Sequence, residues 1–338
     1  MNGINQIKSC RNSNIEILRL LLMVAIMGWH IMLHGMGFSS IDEGSNQMNI
    51  MESLEIILTA LFAPATYCFM FISGYYGLKF TLNKIISLEV CLILCSLFTF
   101  ILSYYLFDIF SIRNLFYSLI PVSTMKWWFM TCYILLFLLA PVLNSGIEAI
   151  NKKSFSFILL SLVIYHILSF LLFKDNSGSN FLGLLTIFLI GRYCNIYKIN
   201  VKRNNAMLIF LSCWLLLVFL LFLSFFYCKM LVLKLLNYNT PLIMIMSVMA
   251  FYFVKNLKPI YSCRINEVLK STLFIYLISE GLGMHFYIWL ASFFIDNNIC
   301  VGILAVLGFI IMSLMLGQVL LFFTSWLLKI LKLYRLKI

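Results

Sequence analysis

Ten long apolar runs, separated by short polar segments, constrain the fold of this chain more than any other feature. A bilayer core about 30 Å thick needs about 20 mostly apolar residues per helix. The runs cover residues 15–38, 54–74, 85–107, 127–144, 155–173, 181–195, 206–228, 238–255, 270–295 and 300–328. Hydrophobic residues make up 63% of the 338 positions and charged residues 11%. Soluble domains average ~45–50% hydrophobic and ~25% charged residues. The sequence therefore predicts an all-α, polytopic transmembrane helical bundle of about ten helices and excludes a soluble domain.

Two of these runs depart from a regular span. The sixth is short, and the ninth contains Glu280, Gly281 and Gly283, where a helix can bend or break. Splitting or merging the ninth run would change the count by one. Because all the loops are short and no internal repeat is evident, we predict a single transmembrane domain over residues 1–338.

The positive charges predict the orientation of the bundle. Loops on the cytoplasmic side of a membrane carry an excess of lysine and arginine. With the N-terminus inside, alternating spans leave only five of the 24 lysines and arginines outside: Arg113, Lys126, Lys174, Lys229 and Lys234. Both termini are therefore expected in the cytoplasm. The net charge of +12 is interpreted as this topological bias, and no nucleic-acid partner is expected.

The cysteines do not predict a metal site. The chain has ten, most of them inside apolar runs, where a thiol behaves as a small hydrophobic group. No CxxC motif and no cluster of cysteine and histidine has the spacing of metal ligands. We therefore expect no bound metal.

The first helix carries four ionisable side chains that are costly inside a membrane: Glu16, Arg19, His30 and His34. At ~100° per residue, Arg19 and His30 differ by only about 20° around the helix, and they lie about 16 Å apart along its axis. All four therefore share one face. A histidine can take a proton from a hydroxyl near neutral pH, which favours an acid–base site. The alternative is an interfacial Glu16–Arg19 pair, with histidines that only bond to other helices.

Several segments resemble the acyltransferase-3 family of membrane acyltransferases. The segment Asn12–Arg19 with His30 resembles its opening, whose hallmark is an arginine and a histidine separated by ten residues on the first helix. Further segments follow in the family's order: Phe71–Tyr76, Trp127–Tyr133, Pro141–Asn144, Phe188–Tyr193 and Ile275–Glu280. The resemblance covers nearly the whole chain. One departure is Ser279, which stands where the family commonly has histidine. His285 follows six positions later, about 240° further around a helix, so it cannot simply replace that histidine.

The resemblance implies transfer of an acyl group, usually acetyl from acetyl-CoA, to a hydroxyl of a saccharide. The acceptor would be a cell-surface saccharide or its lipid-linked precursor, and the location the bacterial cytoplasmic (inner) membrane. The resemblance leaves the acyl group open between acetyl, succinyl and a longer chain. The alternatives are a polysaccharide exporter or flippase, or a secretion component. A polysaccharide polymerase is disfavoured because no large outer loop is present.

Three groups of site residues follow from the resemblance and from position. The expected catalytic residues are His30, Arg19, Glu16, His34 and Glu280. His30 would act as a general base on a sugar hydroxyl or accept the acyl group transiently as a nucleophile. Glu280 would orient His30, bind a substrate hydroxyl or pair with Arg19. The phosphates of CoA need cations near the cytoplasmic face. The residues expected to bind the donor are Arg19, Ser73, Gly74, Tyr75, Lys79, Lys84 and Arg192. Those expected to bind the acceptor are Trp128, Tyr133, Asn144 and Tyr276. Other interpretations of four of these residues remain open. Lys79 and Lys84 could simply reflect the positive charge of cytoplasmic loops, Gly74 could be a helix C-cap, and Trp128 could belong to an interfacial aromatic belt.

Overall fold

Every regular element in the computed structural model is helical within the residues that it describes, 11–37, 50–172, 178–228 and 230–330. The helices are α1 Ser13–His30, α2 Ile50–Phe62, α3 Ala65–Tyr76, α4 Leu82–Phe107, α5 Ile112–Leu119, α6 Trp128–Ala149, α7 Lys152–Leu171, α8 Phe181–Ile196, α9 Arg203–Tyr227, α10 Met230–Leu235, α11 Pro241–Lys255, α12 Cys263–Val268, α13 Leu273–Leu282, α14 Met284–Ser292 and α15 Ile299–Ile330. A π-helical turn, Ile31–Gly35, continues α1.

Length and apolar composition identify the membrane-spanning helices. In the described ranges, seven helical segments qualify, or eight if the bent pair around Gly283 counts as one span. The shorter apolar helices α8 and α11 correspond to the sixth and eighth predicted runs. The all-α, multi-pass architecture is confirmed, whereas ten as the number of spans is not.

The orientation in the membrane stays a prediction. Both chain ends lie outside the described residues, as do Lys174 and Lys229. We call the end of the bundle with Asn12 and Lys79 the inner end, and the end with Trp128 and Tyr238 the outer end, after the predicted topology.

The first turn of α1 is anchored to the segment between α11 and α12. The Asn12 side chain accepts a hydrogen bond from the Asn14 backbone N–H at 3.1 Å, as an N-cap does. Asn14 Nδ2 donates to the Lys258 carbonyl at 2.9 Å, and the Ser13 N–H donates to the Ile260 carbonyl at 2.7 Å. These bonds place Glu16 and Arg19, which follow within two turns, at the inner end.

A sharp bend separates α13 from α14. The two helices meet at 100°, and Gly283 between them has a φ of +74°, a left-handed conformation that favours glycine. The bend expected in the ninth run is confirmed. Because α14 packs against the π-helical turn after α1, the bend brings α13 and α14 to the outer half of α1.

Helices α3 and α8 cross at close range. A Cβ added to Gly74 would lie 2.2 Å from the Phe188 carbonyl oxygen, and one on Gly191 would lie 2.6 Å from the Phe71 carbonyl oxygen. The missing side chain of Gly74 is thus explained by helix packing. The C-cap of α3 is Gly77, with a φ of +77°, so a capping role for Gly74 is wrong.

Candidate active site

His30 and Glu280 meet in the outer half of the bundle. His30 ends α1 and Glu280 lies on α13, and the His30 Nε2 to Glu280 Oε1 distance is 3.1 Å. The hydroxyl of Tyr287, on α14, donates a close hydrogen bond to the same carboxylate oxygen. Glu280 therefore connects the end of α1 to both arms of the bent helix pair.

Aromatic rings surround the His30 imidazole. Its ring stacks on His34 and on Tyr287, with centroids 5.4 Å and 5.3 Å away. The Trp29 ring meets it edge-on at 4.9 Å. These contacts limit rotation of the imidazole, and the Glu280 contact fixes which nitrogen faces the carboxylate.

The second imidazole nitrogen of His30 is left as a hydrogen-bond acceptor. With Nε2–H donating to the Glu280 carboxylate, Nδ1 carries the lone pair. Nδ1 is buried and has no hydrogen-bond partner among the described residues. A buried acceptor without a partner is unfavourable in a resting protein. A substrate hydroxyl would supply the missing donor.

A cavity of about 270 Å³ opens beside His30, and we call it the outer cavity. It is lined by His30 together with Trp29, Trp128, Asn237 and Tyr238, among others. Its walls thus combine aromatic faces with hydrogen-bonding groups. That mixture suits a ligand with apolar faces and several hydroxyls.

A second cavity of about 650 Å³, the inner cavity, opens at the other end of α1. Its lining includes Arg11, Glu16, Arg19, Lys79 and Lys84. Arg19 Nη1 lies 3.1 Å and 3.2 Å from the two carboxylate oxygens of Glu16, so the Glu16–Arg19 pair of the alternative interpretation is formed. Because four cations face one carboxylate, the lining remains positive and fits an anionic ligand.

Apolar side chains separate the two cavities. Met23 and Met27 follow Arg19 along α1 and are 0% and 1% exposed. The Phe69 ring lies 5.9 Å from the Arg19 guanidinium. Arg19 and His30 therefore belong to different ends of one helix face, as their spacing predicts, with packed residues between them.

The predicted donor-binding residues divide into two groups. Ser73, Lys79 and Lys84 line the inner cavity with Arg19. Gly74 faces α8, and the Tyr75 ring lies 4.7 Å from Lys255 Nζ. Arg192 packs against Gly77, where an added Cβ would lie 2.7 Å from Arg192 Nη1. Gly74, Tyr75 and Arg192 thus pack behind the cavity wall.

The predicted acceptor-binding residues also separate. Trp128 lines the outer cavity, whereas Tyr133 lines the inner one. Asn144 lies at the inner end, where its Nδ2 donates to the Leu78 carbonyl at 3.0 Å. Tyr276 is buried against Phe129, with ring centroids 6.1 Å apart. Only Trp128 of the four is thus placed beside His30.

The position where the family commonly has histidine is buried. The Ser279 hydroxyl donates to the Tyr276 carbonyl at 3.2 Å. His285 is exposed, and its ring lies 6.0 Å from that of Phe107. His285 therefore does not take the place of the absent histidine.

Sequence reasoning missed Tyr287, Trp29, Asn237 and Tyr238. Tyr287 follows Glu280 by seven residues, a spacing that puts two residues on one face of a straight helix. The glycine-rich break between them hid that relation. Asn237 and Tyr238 lie just before α11, and no motif marks them.

Comparison with known protein families identifies the family of the chain. Residues 12–322 match the acyltransferase-3 family, described as an acyltransferase domain. Searches of curated proteins and of solved structures give no significant match. The matched region spans α1 through most of α15 and includes His30, Arg19 and Glu280. The chain therefore belongs to the acyltransferase-3 family and is a multi-pass membrane acyltransferase.

Proposed function

We propose that the protein transfers an acyl group from cytoplasmic acyl-CoA to a hydroxyl of a cell-surface saccharide or its lipid-linked precursor, in the bacterial cytoplasmic membrane. The observation that carries this proposal is the His30–Glu280 contact, with a buried and unpartnered Nδ1 on His30, a residue that lines the outer cavity. An imidazole oriented by a carboxylate is suited to removing a proton from a hydroxyl.

The transfer step needs only one base. His30 Nδ1 takes the proton of the acceptor hydroxyl while the hydroxyl oxygen attacks the thioester carbonyl carbon. The carbon–sulfur bond then breaks, and the CoA thiolate takes the proton back from His30. Glu280 holds Nε2–H throughout and stabilises the transient imidazolium. The product is an ester of the saccharide and free CoA.

The inner cavity suits the donor's nucleotide end. CoA carries a diphosphate and a 3′-phosphate, and Arg19, Lys79 and Lys84 present three cations to that space. Because Arg19 is already paired with Glu16, the phosphates would compete with that carboxylate. The acyl end must then pass Phe69 and the two buried methionines to reach His30.

The outer cavity suits a sugar ring. The C–H faces of a pyranose pack on aromatic rings such as Trp29, Trp128 and Tyr238, while Asn237 can bond its hydroxyls. Stacking of His34 on His30 gives His34 a positioning role in this arrangement.

The test compares ester-linked acyl groups on surface glycans, by NMR and mass spectrometry, in a deletion strain carrying wild type or His30→Ala. We expect one acyl group to disappear on deletion and to return with wild type only. An unchanged acyl pattern, with glycan accumulating inside the cells, would instead indicate an exporter.

A further inference from the structure

A further cavity, of about 240 Å³, lies at the outer end of the bundle, and we call it the lysine pocket. Its walls are the outer end of α4, the helix α5, the segment before α6 and the break between α13 and α14. The polar side chains that line it are Ser103, Asn114, Tyr117, Ser118, Thr124 and Lys126. Neither the proton transfer at His30 nor the proposed donor and sugar sites use this space.

Lys126 brings a positive charge to the pocket without a carboxylate beside it. The three hydrogen bonds of its Nζ, at 3.0–3.2 Å, go to neutral oxygens of Ser96 and Thr99. Among the described residues, no aspartate or glutamate forms an ion pair with it. A buried charge is unfavourable unless an opposite charge is near, and burial lowers the pKa of Lys126 from 10.5 to about 8. An anion bound in the pocket would compensate this charge.

Neutral hydrogen-bond donors lie around the lysine. The Tyr117 hydroxyl accepts a hydrogen bond from Arg113 Nε at 2.7 Å, so its own proton can be donated to a ligand. The Asn114 side chain is exposed and carries an amide with two donors. The Ser118 and Thr124 hydroxyls, in contrast, already donate to backbone carbonyls. A cation accompanied by several neutral donors suits an anion with several oxygens, such as phosphate, which lysine binds as a point charge.

Helix α5 places the pocket at the surface of the membrane. Asn114, Tyr117 and Ser118 line the pocket from one face of α5. The opposite face is apolar and exposed, and it consists of Ile112, Leu115, Phe116 and Leu119. A helix with one apolar and one polar face lies in the plane of the interface, with the apolar face against the acyl chains. The pocket therefore lies at about the depth of the lipid headgroups, where the phosphates are.

Two short segments connect the lysine pocket with the proposed reaction centre. Gly281 lines the pocket and directly follows Glu280 on α13. Lys126 lines the pocket, whereas Trp128, two residues later, lines the outer cavity. Trp127 between them is buried, and its ring lies 5.2 Å from Lys126 Nζ. A ligand in the pocket is thus close to the reaction centre but outside it.

We propose that the lysine pocket binds a phosphate group carried on a lipid of the leaflet at the outer end. This inference goes beyond the proposed function and does not require acyl transfer. Two kinds of lipid offer this chemistry, the phosphate-linked lipid precursor of a saccharide and a membrane phospholipid. The experiment therefore compares both sources.

The primary test measures the Kd of polyprenyl phosphate and of phosphatidic acid for the full chain in detergent, by native mass spectrometry. Polyprenol and diacylglycerol have the same chains without the phosphate and are the control ligands. We expect at least one phosphate lipid to bind about tenfold or more tightly than its neutral counterpart, because the phosphate forms charge-assisted hydrogen bonds. The lipid with the larger preference for the phosphate form identifies the source.

Variants of the lining assign the binding to this pocket. Lys126→Met should raise the Kd of the phosphate lipid roughly 10–100-fold, and Asn114→Leu should raise it roughly fivefold. Neither should change the Kd of the neutral lipid. Asn114 is exposed, so its replacement tests the pocket even where Lys126→Met does not fold. Lys234→Met removes another cation at the outer end, one that does not line the pocket, and is the matched control with an unchanged Kd.

Equal Kd values for the phosphate lipids and their neutral counterparts would overturn the inference. So would a phosphate preference that Lys126→Met and Asn114→Leu both leave intact, since the phosphate would then bind elsewhere on the protein. Binding of a free uronic acid that both variants abolish, without a preference for the phosphate lipids, would assign the pocket to a saccharide carboxylate instead.

Discussion

Glu280 receives two donors on one oxygen, Nε2 of His30 and the hydroxyl of Tyr287. A buried carboxylate is stable only where such partners satisfy it. The two contacts also fix the imidazole so that Nδ1 is left for a substrate. The site therefore depends on the side chains of His30, Glu280 and Tyr287. Removing one of them should lower the reaction rate more than it weakens substrate binding.

Glu280→Gln should lower kcat roughly 100-fold and leave KM for acyl-CoA within about twofold, because the proposed site for the donor's phosphates is at the other end of α1. Tyr287→Phe keeps the ring stacked on His30 and removes one hydrogen bond, so its kcat should fall about tenfold. Steady-state kinetics in nanodiscs measures both. A rise in KM with unchanged kcat would mean that Glu280 binds the donor and does not orient His30.

The spacing of Arg19 and His30 was sufficient to place both on one face of α1. Tyr287 could not be found in the same way, because its relation to Glu280 depends on how the chain turns at Gly283. For Asn144 the sequence suggested a place beside the acceptor, but the residue lies away from His30. Its segment resembles the family, but the amide bonds the Leu78 carbonyl at the inner end, which only the packing of α6 reveals.

The close crossing of α3 and α8 depends on Gly74, because a side chain there would meet the backbone of α8. Gly74→Ala should cost about 1–3 kcal/mol of stability, since its Cβ would lie 2.2 Å from the Phe188 carbonyl oxygen. Gly146→Ala, on α6 with nothing within 4 Å of the added Cβ, is the matched control. It should stabilise by up to about 1 kcal/mol. Thermal unfolding in detergent compares them, and a harmless Gly74→Ala would contradict the close crossing.

Lys126 links the segment before α6 to α4. Its Nζ donates to the Ser96 carbonyl, the Ser96 hydroxyl and the Thr99 hydroxyl at 3.0–3.2 Å. Burial lowers the pKa of Lys126 from 10.5 to about 8. Between these values only the unfolded state holds the proton, so raising the pH opposes unfolding. The stability of wild type relative to Lys126→Met should therefore rise from pH 8 to pH 10. A difference that is constant or falls would contradict the shift.

The long apolar runs were predictable because a span of about 20 apolar residues leaves little choice of structure. The short helices α8 and α11 were harder to count as spans, since both fall below that length. The close approach that Gly74 permits could not be distinguished from a cap or a ligand contact, because the partner helix is more than a hundred residues away.

At the scale of the whole molecule, the two cavities lie at opposite ends of α1, and the proposed function requires one end in the cytoplasm. Cys228 and Cys300, both exposed and both at predicted outer loops, provide a test without new mutations. A membrane-impermeant maleimide should label both in intact, reduced cells, while buried Cys68 and Cys194 stay unlabelled. Labelling of Cys228 and Cys300 only after permeabilisation would mean that the orientation in the membrane is opposite to the predicted one.

The central claim is that His30 removes the acceptor's proton, and the chain contains its own control for it. His285 is an exposed histidine on α14, away from the His30–Glu280 pair. The decisive measurement is the initial rate of acyl transfer from acyl-CoA to the purified glycan acceptor by His30→Ala and His285→Ala in nanodiscs. The predicted result is a roughly 10²–10⁴-fold loss for His30→Ala and a wild-type rate for His285→Ala. A wild-type rate for His30→Ala, with both variants equally folded, would contradict this mechanism.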